Sequence, residues 1–132
     1  MSAGSIKNIT RKDIETFISA HEPVLKATQP KLCIPIIDRI YKKMKAGIYF
    51  TPLKVDGSLL CDGHHRYIAS LLSGKEIEKV PTLSASSVKA IQWADVVFEE
   101  DEWDTEAKIN MLNEQDALYN GIALQKLLAL LQ

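Results

Sequence analysis

Seven consecutive residues, Cys61-Asp62-Gly63-His64-His65-Arg66-Tyr67, gather a thiol, a carboxylate, two imidazoles and a guanidinium in one short stretch. An apolar run ends just before them at Leu60, and an amphipathic run after them ends at Gly74. That order predicts a strand that stops, turns on Gly63 and opens a helix. The first turn of a helix offers backbone N–H groups with no acceptor inside the helix, at the positive end of the helix dipole, so such a junction suits an anion. A guanidinium there opposes the dipole and is a poor choice for stability, which makes Arg66 the strongest functional candidate.

The same stretch admits a zinc reading, because Cys61, His64 and His65 could be joined by His21 or Cys33. The spacing fits no standard zinc module, and adjacent histidines rarely ligate one ion. His21 is placed at the end of a helix, where a protonated imidazole complements the dipole. Tyr67, next to Arg66, is the aromatic residue to follow. Tyr41, Trp93 and Trp103 are expected in the core or at its rim rather than as stacking platforms for bases.

The elements that must position this stretch follow from local pattern. Thr10, with Asp13 three residues later, marks a helix start, and Ile14, Phe17 and Ile18 recur at helical spacing up to His21, before Pro23. Val24 to Leu32, bracketed by Pro23 and Pro30, is read as a short strand. From Ile34 a second helix is predicted, with Pro35 in its first turn, Ile36, Ile37, Ile40, Tyr41 and Met44 on its apolar face and Gly47 at its end. Lys42, Lys43 and Lys45 are expected near its C-terminus on a solvated face that complements the dipole, in preference to a phosphate-contacting patch. Tyr49 to Val55 and Ser58 to Cys61 read as a hairpin across Asp56-Gly57, whose second strand delivers the chain into the box. The helix beyond it turns Ile68, Leu71 and Leu72 inward, with Ala69 allowing close packing and Gly74 as a left-handed cap.

Val80-Pro81-Thr82-Leu83 reads as an edge strand, Ser84 to Ser87 as a polar loop, Trp93 to Phe98 as a strand and Glu99 to Glu102 as a solvated acidic turn. Asp104 is expected to cap a helix running to about Tyr119, with Ile109, Leu112 and Ala117 among its apolar positions. After Asn120-Gly121, a leucine-rich helix spans Ile122 to Leu131. That helix must bury against its own domain or a second copy, which makes it the candidate homodimer surface.

With 132 residues, 46% of them hydrophobic, the chain is sized for a single domain over 1–132. The fold class expected is α+β: a short mixed β-sheet packed with helices, plus C-terminal helices. Sixteen basic against seventeen acidic residues leave a net charge of -1, which argues against polyanion binding by bulk charge. The acidic run at Glu99 to Glu102 is a poor surface for nucleic acid. Met1 to Asn8 reads as a frayed end. Met1 to Thr10 carries no secretory-type apolar run, and no stretch reaches membrane-spanning length. A cytoplasmic protein with no membrane partner and both thiols reduced is expected.

The order helix, strand, Asp-Gly turn, strand, glycine-and-arginine box, helix, glycine and valine-proline resembles the ParB/sulfiredoxin superfamily. The matching residues are Gly47, Pro52-Leu53-Lys54-Val55, Asp56-Gly57, Asp62-Gly63-His64-His65-Arg66, Ala69, Gly74 and Val80-Pro81. They define a motif core of about 34–83 and leave both ends outside it, including a helical extension at about 104–132. A lone G-x-x-R is a weak signal; Gly63-x-x-Arg66 between a strand and a helix, with its flanks in register, is moderately specific. The resemblance implies a box that binds nucleotide phosphates, as for ATP in the sulfiredoxins, CTP in the ParB clamps and adenine nucleotides in the free-serine kinases. By that resemblance Gly63 lets backbone approach a phosphate and Arg66 holds it bidentately. The implied cofactor is ATP, ADP or CTP, with magnesium.

Two departures narrow the expectation. His64 stands where sulfiredoxin has its catalytic cysteine and Cys61 lies three residues earlier, so sulfinic-acid reduction is not expected. Nothing after Pro81 looks like the helix-turn-helix domain of the DNA-segregation proteins, which disfavours partition-site binding. The Asp-Gly-His-His-Arg-Tyr wording is closest to the kinase-like branch and to branches without an assigned activity.

Beside a phosphate, one of His64 and His65 is expected to face the cleft as donor, acid, base or phosphoryl acceptor, while the other packs. Asp62 has two readings, an N-cap carboxylate bonded to the N–H of His65, or a base or magnesium ligand. The leading expectation is a nucleotide-phosphate-binding protein, as a small phosphotransferase or nucleotidase. Its catalytic candidates are Asp62, His64 and His65, and its phosphate contacts are Gly63, His64, His65 and Arg66. Its ligand would be a nucleotide or a phosphorylated small molecule. The alternatives are a ParB-like nuclease or nucleic-acid-binding protein, and a non-catalytic interaction module that dimerises through Ile122 to Leu131.

Overall fold

The computed structural model describes residues 8–132, so the end expected to fray at Met1 to Asn8 lies outside it except for Asn8. Thr10 and Asp13 form a reciprocal capping box that starts α1 (Arg11–Ala20). His21 caps the other end, with its ring 5.0 Å from that of Phe17. The strand expected over Val24 to Leu32 is reduced to two isolated bridges, Lys26 to Leu59 and Ala27 to Ile91, and regular pairing begins only at β1 (Lys31–Cys33). Pro23 and Pro30 supply no amide to a ladder on either side of that segment.

β1 passes without a loop into α2 (Ile34–Lys45), which carries Pro35 in its first turn and is followed by Gly47 at φ +91°. α2 buries Ile34, Ile37, Met44 and also Lys43, so the solvated lysine face is corrected at that position. Helical spacing is the reason: Lys43 lies four residues after Arg39, on the side of α2 where its Nζ meets Asp116. Lys42 instead pairs with Asp38 at 2.9 Å, and Lys45 stands exposed beside Tyr41.

The hairpin forms with shorter strands and a turn shifted by one residue. β2 (Leu53–Asp56) and β3 (Leu59–Asp62) flank a Gly57-Ser58 loop in which only Gly57 has a positive φ, +58°. This is the arrangement of a hairpin turn with glycine in its first central position. Asp56 pairs with Leu59 and accepts bonds from the Ser84 amide at 3.0 Å and hydroxyl at 2.6 Å, which ties the polar loop to the hairpin. A register shift after Lys54 leaves Cys61 without a partner residue. Such a bulge bends a strand end, here next to the box.

β4 (Lys79–Pro81) adds parallel to β2 at the sheet edge, where Pro81 is tolerated. β5 (Val97–Glu99) pairs in parallel with β1, so the sheet structure is two small sheets rather than one. The strand expected from Trp93 begins late because Trp93–Asp95 forms a 3-10 turn, with the buried Trp93 indole donating to the Leu25 carbonyl at 2.8 Å.

At the centre lies α3 (His64–Ser73), bounded by left-handed Gly63 and Gly74 and packed mainly on α2. Ile68 and Ala69 join Ile14, Leu32, Ile37, Leu53 and Leu60 in the main core. Truncating Ile68 to Ala there should cost about 2–5 kcal/mol. Tyr67 belongs to this core and not to the site: it is buried, and its hydroxyl accepts from the Leu25 amide at 3.1 Å.

Thr105, not Asp104, caps α4 (Glu106–Tyr119). Asn120 and Gly121 break the helix, and α5 (Leu124–Leu130) follows. A second, smaller cluster of Ile48, Ala117 and Leu127 holds this pair to the body of an α+β fold. Among the described residues no helix is long and apolar enough to cross a membrane.

Candidate functional site

The chain turns from β3 into α3 on one residue, Gly63, at φ +97°. A Cβ at that position would lie 2.6 Å from both Leu53 Cδ2 and Arg66 Nη2, so any other residue would displace those side chains as well as strain the backbone. No side chain caps α3. The N–H groups of its first turn, His64, His65 and Arg66, therefore have no acceptor within the helix. Asp62, one of whose readings was the N-cap, ends β3 instead: Gly63 stands between it and the helix and takes its carboxylate out of capping register. Its side chain is 62% exposed, with Oδ2 3.5 Å from Arg66 Nη2.

Arg66 folds back over Gly63. Nη1 donates to Thr51 Oγ1 at 3.0 Å and Nη2 to the Pro52 carbonyl at 3.4 Å, while Nε is screened from solvent and has no partner among the described residues. A buried N–H left without an acceptor costs about 1–3 kcal/mol, so this guanidinium is held in place with donor capacity unused.

The two rings are anchored in the same way to different segments. His64 Nε2 accepts from the Thr28 amide at 2.9 Å, and the Thr28 hydroxyl donates to the Leu60 carbonyl at 2.6 Å. His65 Nε2 accepts from the Cys33 amide at 2.9 Å, with the edge of Trp103 against its ring. An acceptor nitrogen must be unprotonated, so each neutral ring carries its hydrogen on Nδ1. Burial pushes the His64 pKa down to about 4 against the opposing pull of Asp62. Burial, then His64, pushes His65 down to about 4, with Asp104 opposing and Arg39 adding to the shift. At neutral pH both are uncharged donors, and their Nε2 atoms are engaged by backbone.

Both residues line one cleft of about 490 Å³, together with Asp62, Gly63 and Arg66. The rings themselves diverge, His64 towards Thr28 and Trp93 and His65 towards Cys33 and Trp103. Five consecutive residues line the cleft because it lies at the end of α3 rather than along its side. α2 supplies Arg39 and Lys43 to another wall, and α4 supplies Asp116, with Asp104 just before it. Arg39 Nη2 binds Glu102 at 2.9 Å and Asp104 at 3.3 Å, and Lys43 Nζ binds Asp116 at 2.7 Å. The Arg39 hydrogen bond holds the Glu102 carboxyl below its ordinary pKa. The turn at 99–102 is therefore not simply solvated, since Glu102 binds Arg39 and Glu100 binds Arg11 at 3.2 Å.

Arg39, Asp116 and Thr51 are site residues that sequence reasoning did not single out, Asp104 was read only as a helix cap, and Lys43 was read as solvated in preference to phosphate-contacting. A signal existed for some of them: Ile36, Arg39, Ile40 and Lys43 share one helical face, as do Ile109, Leu112 and Asp116. Thr28 and Cys33 act through backbone amides, which no residue type announces. The other zinc candidates stand apart, Cys33 bonded to the Asp101 carbonyl, Cys61 near the Leu59 carbonyl and His21 against Phe17. Both thiols are free. Among the described residues no group of three or more His, Cys, Asp or Glu is placed to hold a metal ion.

Compared with known proteins, the chain matches no family model, no curated protein and no solved structure.

Proposed function

We propose that this chain is a nucleotide-phosphate-binding protein of ParB/sulfiredoxin type, acting in the cytoplasm as a small phosphotransferase or nucleotidase. The observation that carries the reading is the uncapped first turn of α3, which opens into the cleft with hydrogen-bond donors only. Backbone N–H groups, the guanidinium of Arg66 and the Nδ1–H of two neutral rings form a set that an anion completes and a cation does not. Phosphates of ATP, ADP or CTP are its intended occupants. Donors held in place before the ligand arrives stabilise charge that develops on transfer of a phosphoryl group.

With Nε2 of both histidines engaged by backbone, proton transfer falls to Asp62, whose exposed carboxylate is held, among the described residues, by a 3.5 Å contact to Arg66. The Asp62 carboxylate beside phosphates is also a kind of ligand that magnesium uses. The leucine face of α5 is proposed as a homodimer surface, because Leu128 and Leu130 remain about two-fifths exposed.

The test is the thermal midpoint with ATP, ADP, CTP and GTP, each with and without magnesium, for the wild type, Arg66→Ala and Arg66→Lys. A ligand at a hundred times its dissociation constant should stabilise the fold by ~2.7 kcal/mol. The shift should disappear in Arg66→Ala and be weakened in Arg66→Lys, which keeps the charge and loses the planar fork. No shift with any nucleotide in the wild type sinks the proposal.

A further inference from the structure

Lys43 is a charged residue for which the phosphate reading gives no role. It is 4% exposed, and its Nζ lies 2.7 Å from Asp116 Oδ2 inside the cleft wall. A buried ion pair is a poor source of net stability, because both charges surrender their hydration to form it. The element that supplies Asp116 is weakly bound by apolar contacts: Ala117 is the only residue that α4 buries. Across the cleft α4 and the loop before it meet α2 through charge, with Asp116 on Lys43 and Asp104 and Glu102 on Arg39. Each α2 cation of the cleft is therefore matched by a carboxylate from the C-terminal segment. These carboxylates are the groups an incoming anion would have to replace.

We propose that Lys43 is an anion-binding residue of this cleft, that Asp116 is its built-in counter-ion, and that a phosphate-bearing ligand displaces Asp116 when it binds. This rests on the reading of the cleft as a phosphate site. It extends that reading to a second wall and makes α4 a competitor of the ligand. Removing the carboxylate should then strengthen binding, whereas a pair that serves structure alone gives no such gain.

The experiment titrates tripolyphosphate into the full chain by calorimetry. The wild type is compared with Asp116→Asn, Lys43→Gln, the double variant and Arg66→Ala. Asp116→Asn should bind about 5- to 10-fold tighter than the wild type, the range of a modest coupling between two sites. Lys43→Gln should bind correspondingly weaker, and the double variant should be no tighter than Lys43→Gln. An Asp116→Asn affinity equal to or below the wild type overturns the proposal, as does a gain that persists in the double variant. Arg66→Ala separates the two readings. Wild-type affinity there with a gain in Asp116→Asn removes the box and keeps Lys43, and the opposite pattern keeps the box and removes Lys43. No binding by any variant removes both.

Should Asp116→Asn fail to fold, amide exchange of the wild type decides. Saturating tripolyphosphate should speed exchange in α4 about 10-fold, as the helix loses its hold on α2. Unchanged or slower exchange there, with ligand bound, overturns the proposal.

Discussion

At His64 and His65 the contacts that orient the rings also determine their charge. Both pKa values sit at about 4, below the ordinary 6.5. Between those values the unfolded chain binds protons that the folded chain does not, so stability falls as pH drops from 6.5 towards 4. From pH 7.5 to pH 5 the loss should reach about 2 kcal/mol per ring. Urea midpoints at those two pH values measure it. His64→Gln, whose amide oxygen can still accept from Thr28, should remove about half of the dependence. A flat profile in the wild type would mean that the rings are not held neutral. Gly63→Ala probes the neighbouring constraint. A left-handed φ and two 2.6 Å contacts should cost about 2–4 kcal/mol in chemical denaturation. The cost should be smaller in an Arg66→Ala background, where one of the two contacts is gone. An equal cost in both backgrounds would place the strain in the backbone and Leu53 alone.

Among the elements, α3 is packed into the core and α4 is not. Left-handed glycines terminate α3, and its buried residues pack on α2. α4 and α5 depend on a few polar contacts at their junction, where Asn120 accepts from the Tyr49 amide at 2.7 Å and donates to its carbonyl at 3.0 Å. Asn120 also donates to the Asp116 carbonyl at 2.8 Å, closing the last turn of α4. Asn120→Ala should cost about 1–2 kcal/mol, since these groups are only partly shielded from water. Amide exchange should rise first in α5 while α3 stays protected. A uniform rise through both helices would show that the C-terminal pair is not a separate unit of stability.

The whole molecule leaves apolar surface on its C-terminal side. Leu118 is 82% exposed, and Leu128 and Leu130 stand on the outer part of α5, whose one fully buried leucine is Leu127. If the chain pairs through this face, sedimentation at rising concentration should show a monomer–dimer equilibrium. Leu128→Glu together with Leu130→Glu should abolish it without lowering the thermal midpoint of the monomer. A wild type that stays monomeric at high concentration would end the dimer proposal.

Local chemistry was enough to read the capping box at Thr10, the break at Asn120-Gly121, the left-handed Gly74 and the strand-turn-helix around Gly63. Each depends on residues within a few positions of one another. The helix of Ile34 to Lys45 was legible for the same reason, through the spacing of its apolar face. The hairpin turn missed by one residue, because a glycine that can take a positive φ does not by itself say which strand residues pair.

The sequence determined that Gly63, His64, His65 and Arg66 stand together at the start of a helix. Tertiary structure alone decided what they can do. Amides of Thr28 and Cys33, 36 and 32 positions away from the rings they meet, turn both imidazoles into neutral Nδ1 donors. Asp116, 73 positions from Lys43, converts a lysine that reads as solvated into a buried, paired cation. Hydrogen bonds and burial of this kind are made between distant parts of the chain, and residue order does not encode them in any local pattern.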